Sequence, residues 1–217
     1  MILLLAGTLR VTVRIDRLHW WIPVSLVMGV VVADFASGLV HWAADTWGHA
    51  DMPMIGKRVL LPFRVHHVNP DDILRRSFLD ANGDVAALTV PALIGLLFVP
   101  VDNEAGQVVS VAGMGCCAIG MLTNQIHQWA HRPSPPRPVR LLQALGLVLR
   151  PGDHARHHGS PFAVHYCITT GWCNALLEAT GFFRRLETAV TAFTGIRPRE
   201  DEASLYQDDH PRVTPKA

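Results

Sequence analysis

The strongest constraint on this chain is a set of apolar runs, each close to the length that carries an α-helix across a bilayer. A spanning helix needs ~20 mostly apolar residues. Residues 22–40 qualify despite Asp34 and Ser37, and residues 85–101 carry no charge. Residues 107–126 are rich in Gly, Ala, Val and Met, which suits close helix packing in lipid. The last two runs are joined by the short acidic turn Asp102-Asn103-Glu104-Ala105-Gly106 and so read as a transmembrane hairpin. Lipid offers no partner to backbone N–H and C=O groups, so segments of this kind must be helical. The expected fold is all-α, a multi-pass membrane helical bundle.

The remaining segments are weaker. Residues 1–9 are apolar but lack a basic leader region and a cleavage site, and they are too short to span; they read as mature chain. Residues 141–149 are also too short and suit the membrane interface. Residues 162–183 are long enough, but they contain His165, Asn174 and Glu178 and read as partly buried or re-entrant rather than as a full crossing. Residues 183–193 have the pattern of an interfacial amphipathic helix. From 195 onward the chain is polar and Pro-containing, the composition of a disordered tail. The organisation expected is therefore an N-terminal segment at 1–19, the remnant of a first membrane helix, then one membrane domain at 20–194 and a polar tail at 195–217.

Composition narrows the function. With 19 basic against 18 acidic residues, the chain lacks the basic excess of a nucleic-acid binder. The four cysteines, Cys116, Cys117, Cys167 and Cys173, form neither a disulfide framework nor a thiolate zinc motif. The unusual number is twelve histidines in a protein that is 49% hydrophobic. Histidine is costly to bury alone and is the commonest metal ligand.

Their positions matter more than their count. His41 and Asp45 close the first apolar run at i, i+4 spacing, which puts them on one helix face. His66 and His67 follow in a loop, and His127 and His131 come directly after the third run, again four apart. Last is His154-Ala155-Arg156-His157-His158. Because the hairpin leaves one side of the membrane and returns to it, all four clusters land on the same side. That side also carries Lys57, Arg58, Arg64, Arg75, Arg76, Arg132, Arg137, Arg140, Arg150 and Arg156, so the positive-inside rule makes it cytoplasmic. Arg10, Arg14 and Arg17 would then lie outside. Either the larger downstream bias outweighs them, or the chain begins part-way through a longer N-terminal segment.

Eight histidines and one aspartate oversupply one metal ion, which takes three or four protein ligands in a zinc site, and suit two. Imidazole accepts Zn, Cu, Fe and Ni, so the ligand type does not name the ion. No HExxH motif occurs, which removes the common zinc peptidase reading. Two ferrous ions beside lipid are suited to oxygen activation and to removing hydrogen from an unactivated carbon. Asp45 would serve as an anionic ligand or bridge, or would fix a histidine tautomer. His165, Asp34 and Asn82 are candidates to support the ligands, although Asp34 could equally pair within the bundle. His19, His49 and His210 read as surface or packed residues. Trp20, Trp21, Trp42, Trp47 and Trp129 fit an aromatic belt.

The run Asp34-Phe35-Ala36-Ser37-Gly38-Leu39-Val40-His41-Trp42-Ala43-Ala44-Asp45-Thr46-Trp47-Gly48 resembles the signature of the plasmanylethanolamine desaturases, the Kua or CarF-type lipid desaturases. The resemblance continues through Phe63-Arg64-Val65-His66-His67 with Pro70 and through Phe78-Leu79-Asp80-Ala81-Asn82-Gly83-Asp84. It then takes in Asn124-Gln125-Ile126-His127-Gln128-Trp129-Ala130-His131, His154 to His158 and Tyr166-Cys167-Ile168-Thr169-Thr170-Gly171-Trp172. The plastid desaturase acting on phosphatidylglycerol is similar in plan. The resemblance implies a di-iron oxidoreductase of lipid metabolism that introduces the vinyl-ether double bond into 1-O-alkyl (plasmanyl) phospholipids, a step of plasmalogen biosynthesis. It implies two iron ions, O2 as co-substrate and an external electron donor, a cytochrome b5-like or ferredoxin-like protein. On the same ground His41, Asp45, His66, His67, His127, His131, His154, His157 and His158 fall on the family's metal positions, with His165 a weaker transfer. Family members usually carry a full apolar span before the one near Ile22, where this chain shows a remnant. Two alternatives stay open: an acyl-chain desaturase or hydroxylase using the same metals, and a non-catalytic metal-handling membrane protein.

Overall fold

Two segments form helices long and apolar enough to cross a membrane, Trp21–Thr46 (α2) and Phe78–Leu96 (α4). A third crossing is made if Glu104–Gly120 (α5) and Thr123–His131 (α6) count as one span bent by 42°. The protein is seen here as a computed structural model that describes residues 1–199. The other helices are Ile2–Thr12 (α1), Leu61–Val68 (α3), Arg137–Ala144 (α7), Pro151–His157 (α8), Asn174–Ala179 (α9) and Phe182–Thr194 (α10). Among the described residues there is no strand. A π-helical turn, Gly56–Leu60, runs into α3, and a 3-10 turn, Pro70–Arg75, leaves it.

α2 is the organising element. At 1.5 Å per residue its 26 residues extend about 39 Å, beyond the ~30 Å hydrocarbon core. Its buried stripe, Trp21, Ser25, Gly29 and Ala33, repeats every fourth residue and is small after the first member. That lets α5 come close: a Cβ on Gly29 would be driven into the Ala112 carbonyl oxygen and would lie 2.9 Å from the Cys116 nitrogen. In lipid, where apolar burial gives little drive, such backbone proximity is what holds helices together.

The hairpin differs in register from the sequence expectation. α4 starts at Phe78 rather than at 85, because Ser77 accepts the Asp80 N–H and caps a first turn whose polar residues hide it from a hydropathy window. The third run is not one straight helix. It breaks after Gly120, and Asn82 Oδ1 accepts the Gln125 N–H beyond the break at 2.9 Å, while Asn124 Nδ2 ties α6 to α4 by donating to the Ala81 carbonyl.

α1 packs beside α4 and α5 and is tied at its end. Arg10 donates to the carbonyls of Leu96 and Val99 at the C-terminus of α4, and Arg14 pairs with Asp102 at 3.4 Å. These arginines therefore sit at the acidic turn, the end of the hairpin away from the histidines.

Residues 162–173 are not helical. Residues 165–170 are nonetheless buried throughout, and their backbone groups are paired with side chains of neighbouring elements. The Ile168 N–H donates to Ser37 Oγ, Asn174 bonds both the N–H and the C=O of Cys167, and Asp34 accepts the N–H groups of Thr170, Gly171 and Cys173. Irregular backbone at membrane depth is tolerated on this condition. Gly38 makes room for the passage, since a Cβ there would strike Cys167 Sγ. Residues 141–149 divide: α7 covers the first half, while Val148 and Leu149 turn inward to the Ile126 cluster. α10 lays Phe183 and Glu187 onto Trp42, whose indole N–H donates to Glu187 at 3.0 Å. Of the expected tail, residues 195–199 return to α2, where the Arg199 N–H donates to the Thr46 carbonyl; the rest, with His210, lies outside the described residues.

Candidate metal centre

Four helices that are distant in sequence bring nine donor side chains into two adjoining groups. His66, His127, His131, His154 and His158 form one; His41, Asp45, His67 and His157 form the other. Within each group one donor atom from every residue lies within 4.8 Å of all the rest. The sequence patterns explain the arrangement. The i, i+4 pairs stay together: His127 with His131 on α6, His154 with His158 at the end of α8, and His41 with Asp45 on α2. The adjacent pairs separate, because neighbours on a helix diverge by about 100°. His66 therefore joins the five-donor group and His67 the four-donor group, and His158 parts from His157 in the same way. The groups abut, with the rings of His67 and His158 centred 5.5 Å apart and those of His157 and His158 5.6 Å apart.

In the five-donor group all contacts run between Nε2 atoms. His127 lies 2.9 Å from His66, 2.7 Å from His154 and 3.2 Å from His131. His154 meets His131 at 2.7 Å and His158 at 3.0 Å, and His158 meets His66 at 3.1 Å. Each neutral imidazole has one N–H, so these six contacts among five rings cannot all be hydrogen bonds. A cation at the centre satisfies every ring. Nitrogens about 2.1 Å from an ion and at right angles to each other stand about 3.0 Å apart, the spacing seen here. The residues fit a metal.

The four-donor group centres on the Asp45 carboxylate, whose Oδ2 lies 3.4 Å from His41 Nε2 and 3.6 Å from the Nε2 atoms of His67 and His157. His67 and His157 meet at 2.9 Å. Two of its rings are oriented from behind: His41 Nδ1 donates to the Tyr166 carbonyl at 3.1 Å and His157 Nδ1 to the Val164 carbonyl at 2.8 Å. A proton on Nδ1 leaves the Nε2 lone pair for an ion, the usual way a protein sets the tautomer of a ligand.

Burial, reinforced by neighbouring histidines, lowers the pKa of His66, His154 and His157, and brings His158 down to about 3. These rings are neutral near pH 7, the form that binds metal.

The supporting candidates fall elsewhere. Asn82 does not touch a donor; it caps α6, which carries His127 and His131. Asp34 binds loop backbone. His165, at a positive φ of 55°, faces Glu178 at 3.2 Å and Arg156 at 3.4 Å and belongs to neither group. His49 is exposed and His19 pairs with Asp16, as expected of surface histidines. Two neighbours were not singled out from the sequence. Phe162 stacks on His67 with ring centres 4.8 Å apart, and Tyr166 lies against His41 and His157 at 5.9 and 5.3 Å. Tyr166 stands within the signature run; nothing in the sequence marks Phe162.

A cleft reaches the five-donor group at His66 and His127. Pro62, Phe63, Ile73 and Ala81 give it apolar walls, and Asp72, Arg76 and Asn124 supply its polar lining.

A family model described as a lipid desaturase domain matches residues 30–201. The chain is 40% identical over 184 residues to a plasmanylethanolamine desaturase of Myxococcus xanthus, covering 84% of this chain and 65% of that protein. It is 40% identical over 188 residues to plasmanylethanolamine desaturase 1 of Mus musculus, covering 84% of this chain and 69% of that one. A chloroplastic fatty acid desaturase 4-like protein of Arabidopsis thaliana is 32% identical over 184 residues, covering 83% and 61%. The chain thus spans about two thirds of the length of these relatives. No solved structure matches it.

Proposed function

The chain belongs to the lipid desaturase family, and from that footing we propose that it is an oxygen-dependent di-iron desaturase of plasmanyl phospholipids. The observation that carries the proposal is the pair of donor groups, two sites side by side built from neutral imidazoles and one carboxylate. The names of the two 40% identical relatives support the substrate class.

His66, His127, His131, His154 and His158 would hold one iron; His41, Asp45, His67 and His157 would hold the other. Bound there, the pair supplies the oxidising chemistry that an unactivated C–H bond requires. The reaction removes one hydrogen from the alkyl carbon bonded to the ether oxygen and one from the next carbon along that chain. With two electrons from an external donor and two protons from solvent, O2 leaves as two waters. A cytochrome b5-like or ferredoxin-like protein has the one-electron chemistry for that supply. The chain's own residues position and shield. The cleft walls of Phe63, Ile73 and Ala81 exclude water around an alkyl chain whose end approaches His66 and His127, and Arg76 offers a cation to a phosphate. Carbonyls behind His41 and His157 hold those rings with Nε2 turned inward. We place the centre at the cytoplasmic face, since the basic residues of 57–156 accompany the histidines.

The test is chemical. Membranes containing the iron-loaded protein, given a 1-O-alkyl phospholipid, O2 and a reducing system, should accumulate acid-labile vinyl ether. A new double bond confined to acyl chains would instead favour the second reading, an acyl-chain desaturase, which the relative named for fatty acid desaturation supports. A metal transporter predicts flux without oxygen uptake, and donors gathered at one locus do not line a path across the spans.

A further inference from the structure

We propose that Asp34 is a positioning residue for the four-donor group, acting through the 164–173 stretch and bearing less on the five-donor group. The inference rests on the two-metal reading above. Asp34 lies seven residues before His41 on α2, about 10 Å along the axis, so it cannot reach an ion held there. It is fully buried, and its carboxylate is spent on backbone: Oδ1 accepts the N–H groups of Thr170 at 2.7 Å and Gly171 at 2.9 Å, and Oδ2 accepts that of Cys173 at 3.0 Å.

These bonds hold one end of a short span of chain. Ser37 Oγ, one turn further along α2, accepts the Ile168 N–H at 3.1 Å, and Thr123 on α6 meets Thr169 through their hydroxyls at 2.9 Å. The other end of the span is Val164 to Tyr166, where the carbonyls of those two residues receive the Nδ1–H groups of His157 and His41. α2 thus grips the same strip at three points, with Asp34 and Ser37 at depth and His41 at the centre. The depth of the strip sets where those carbonyls stand, and the carbonyls set two of the three imidazoles in the four-donor group. Three of the five rings in the other group lack such a clamp. The Nδ1 atoms of His66, His154 and His158 have no protein hydrogen-bond partner among the described residues. A change at Asp34 should therefore be felt more at the ion of the four-donor group than at the other.

Asp34→Asn keeps the size but puts an amide N–H2 where backbone N–H groups converge. Full-length protein, purified without metal in lipid nanodiscs, is titrated anaerobically with ferrous ion, and with cobalt(II) as an optical probe. The native protein takes up two equivalents, and His157→Ala and His131→Ala assign which equivalent belongs to which group. In Asp34→Asn the His157-dependent equivalent should weaken about tenfold or more, the range seen when groups behind a ligand are lost, while the His131-dependent one moves less. Ser37→Ala, which removes one hydrogen bond to the strip and one to the Asp34 carbonyl but leaves the three of the Asp34 carboxylate, is the milder second variant and should move the same equivalent in the same direction by less. Equal weakening of both equivalents, or no weakening, in whichever variant folds overturns the assignment. A native protein that fails to bind two equivalents overturns the two-metal reading itself, a separate result.

Discussion

His131 and His157 stand for the two groups, and each has a neighbour four or fewer residues away that cannot replace it. His131→Ala should remove the ion of the five-donor group and His157→Ala that of the four-donor group, each abolishing turnover, whereas His49→Ala, on an exposed ring, should leave metal and activity at native levels. Elemental analysis beside a vinyl-ether assay decides this, and full occupancy in both site variants would refute the ligand sets. Acid should act through the same rings. His158 is held neutral with a pKa of about 3 against an ordinary value near 6.5. Between those values the unfolded chain binds the proton and the folded chain does not, so stability rises with pH across that window and is lost as pH falls from about 6.5 toward about 3. The metal-free protein should accordingly show a falling melting temperature on acidification in that range; a flat profile would contradict it. That these side chains meet was legible, because i, i+4 spacing and a hairpin leave few other outcomes. Which ring joins which group was not, since adjacent histidines diverge by helix geometry that spacing alone does not orient. The partners of Asp34 were equally hidden, lying more than 130 residues away.

Between elements, the governing contact is α2 against α5 at Gly29. Gly29→Val should destabilise the bundle by about 1–3 kcal/mol, the usual cost of forcing atoms into a filled interface, and should lower the melting temperature in detergent. Val32→Ala, at an exposed position on the same helix, is the control, and an unchanged melting temperature for Gly29→Val would mean the helices do not meet there. Apolar length showed where the membrane helices are but misplaced their ends. Polar residues of the first two turns, Asp80, Asn82 and Asp84, extend α4 toward the histidine side, and a composition window discards them. The break at Met121–Leu122 was also invisible, because the residue that pairs with the backbone beyond it, Asn82, comes from another part of the chain. Residues 162–183 could be judged unfit for a crossing from His165, Asn174 and Glu178, and the first part of that stretch, 162–173, indeed forms no helix.

At the level of the whole molecule, orientation is open to direct measurement. Cysteines introduced at Asp102 and at Gly159, in a background lacking the four native thiols, should label from opposite sides of sealed vesicles, with Gly159 reached from the cytoplasmic side; labelling from one common side would break the hairpin topology. The N-terminal arginines weigh little in that balance, because Arg10 is committed to the carbonyls closing α4 and Arg14 to Asp102. One asymmetry between the metal groups reaches further. Rings clamped by carbonyls hold a fixed bite, while rings with no such tether can swivel to suit ions of different radius. Mis-metallation in a cell short of iron should then begin at the swivelling pocket, leaving a mixed-metal protein whose clamped half remains faithful.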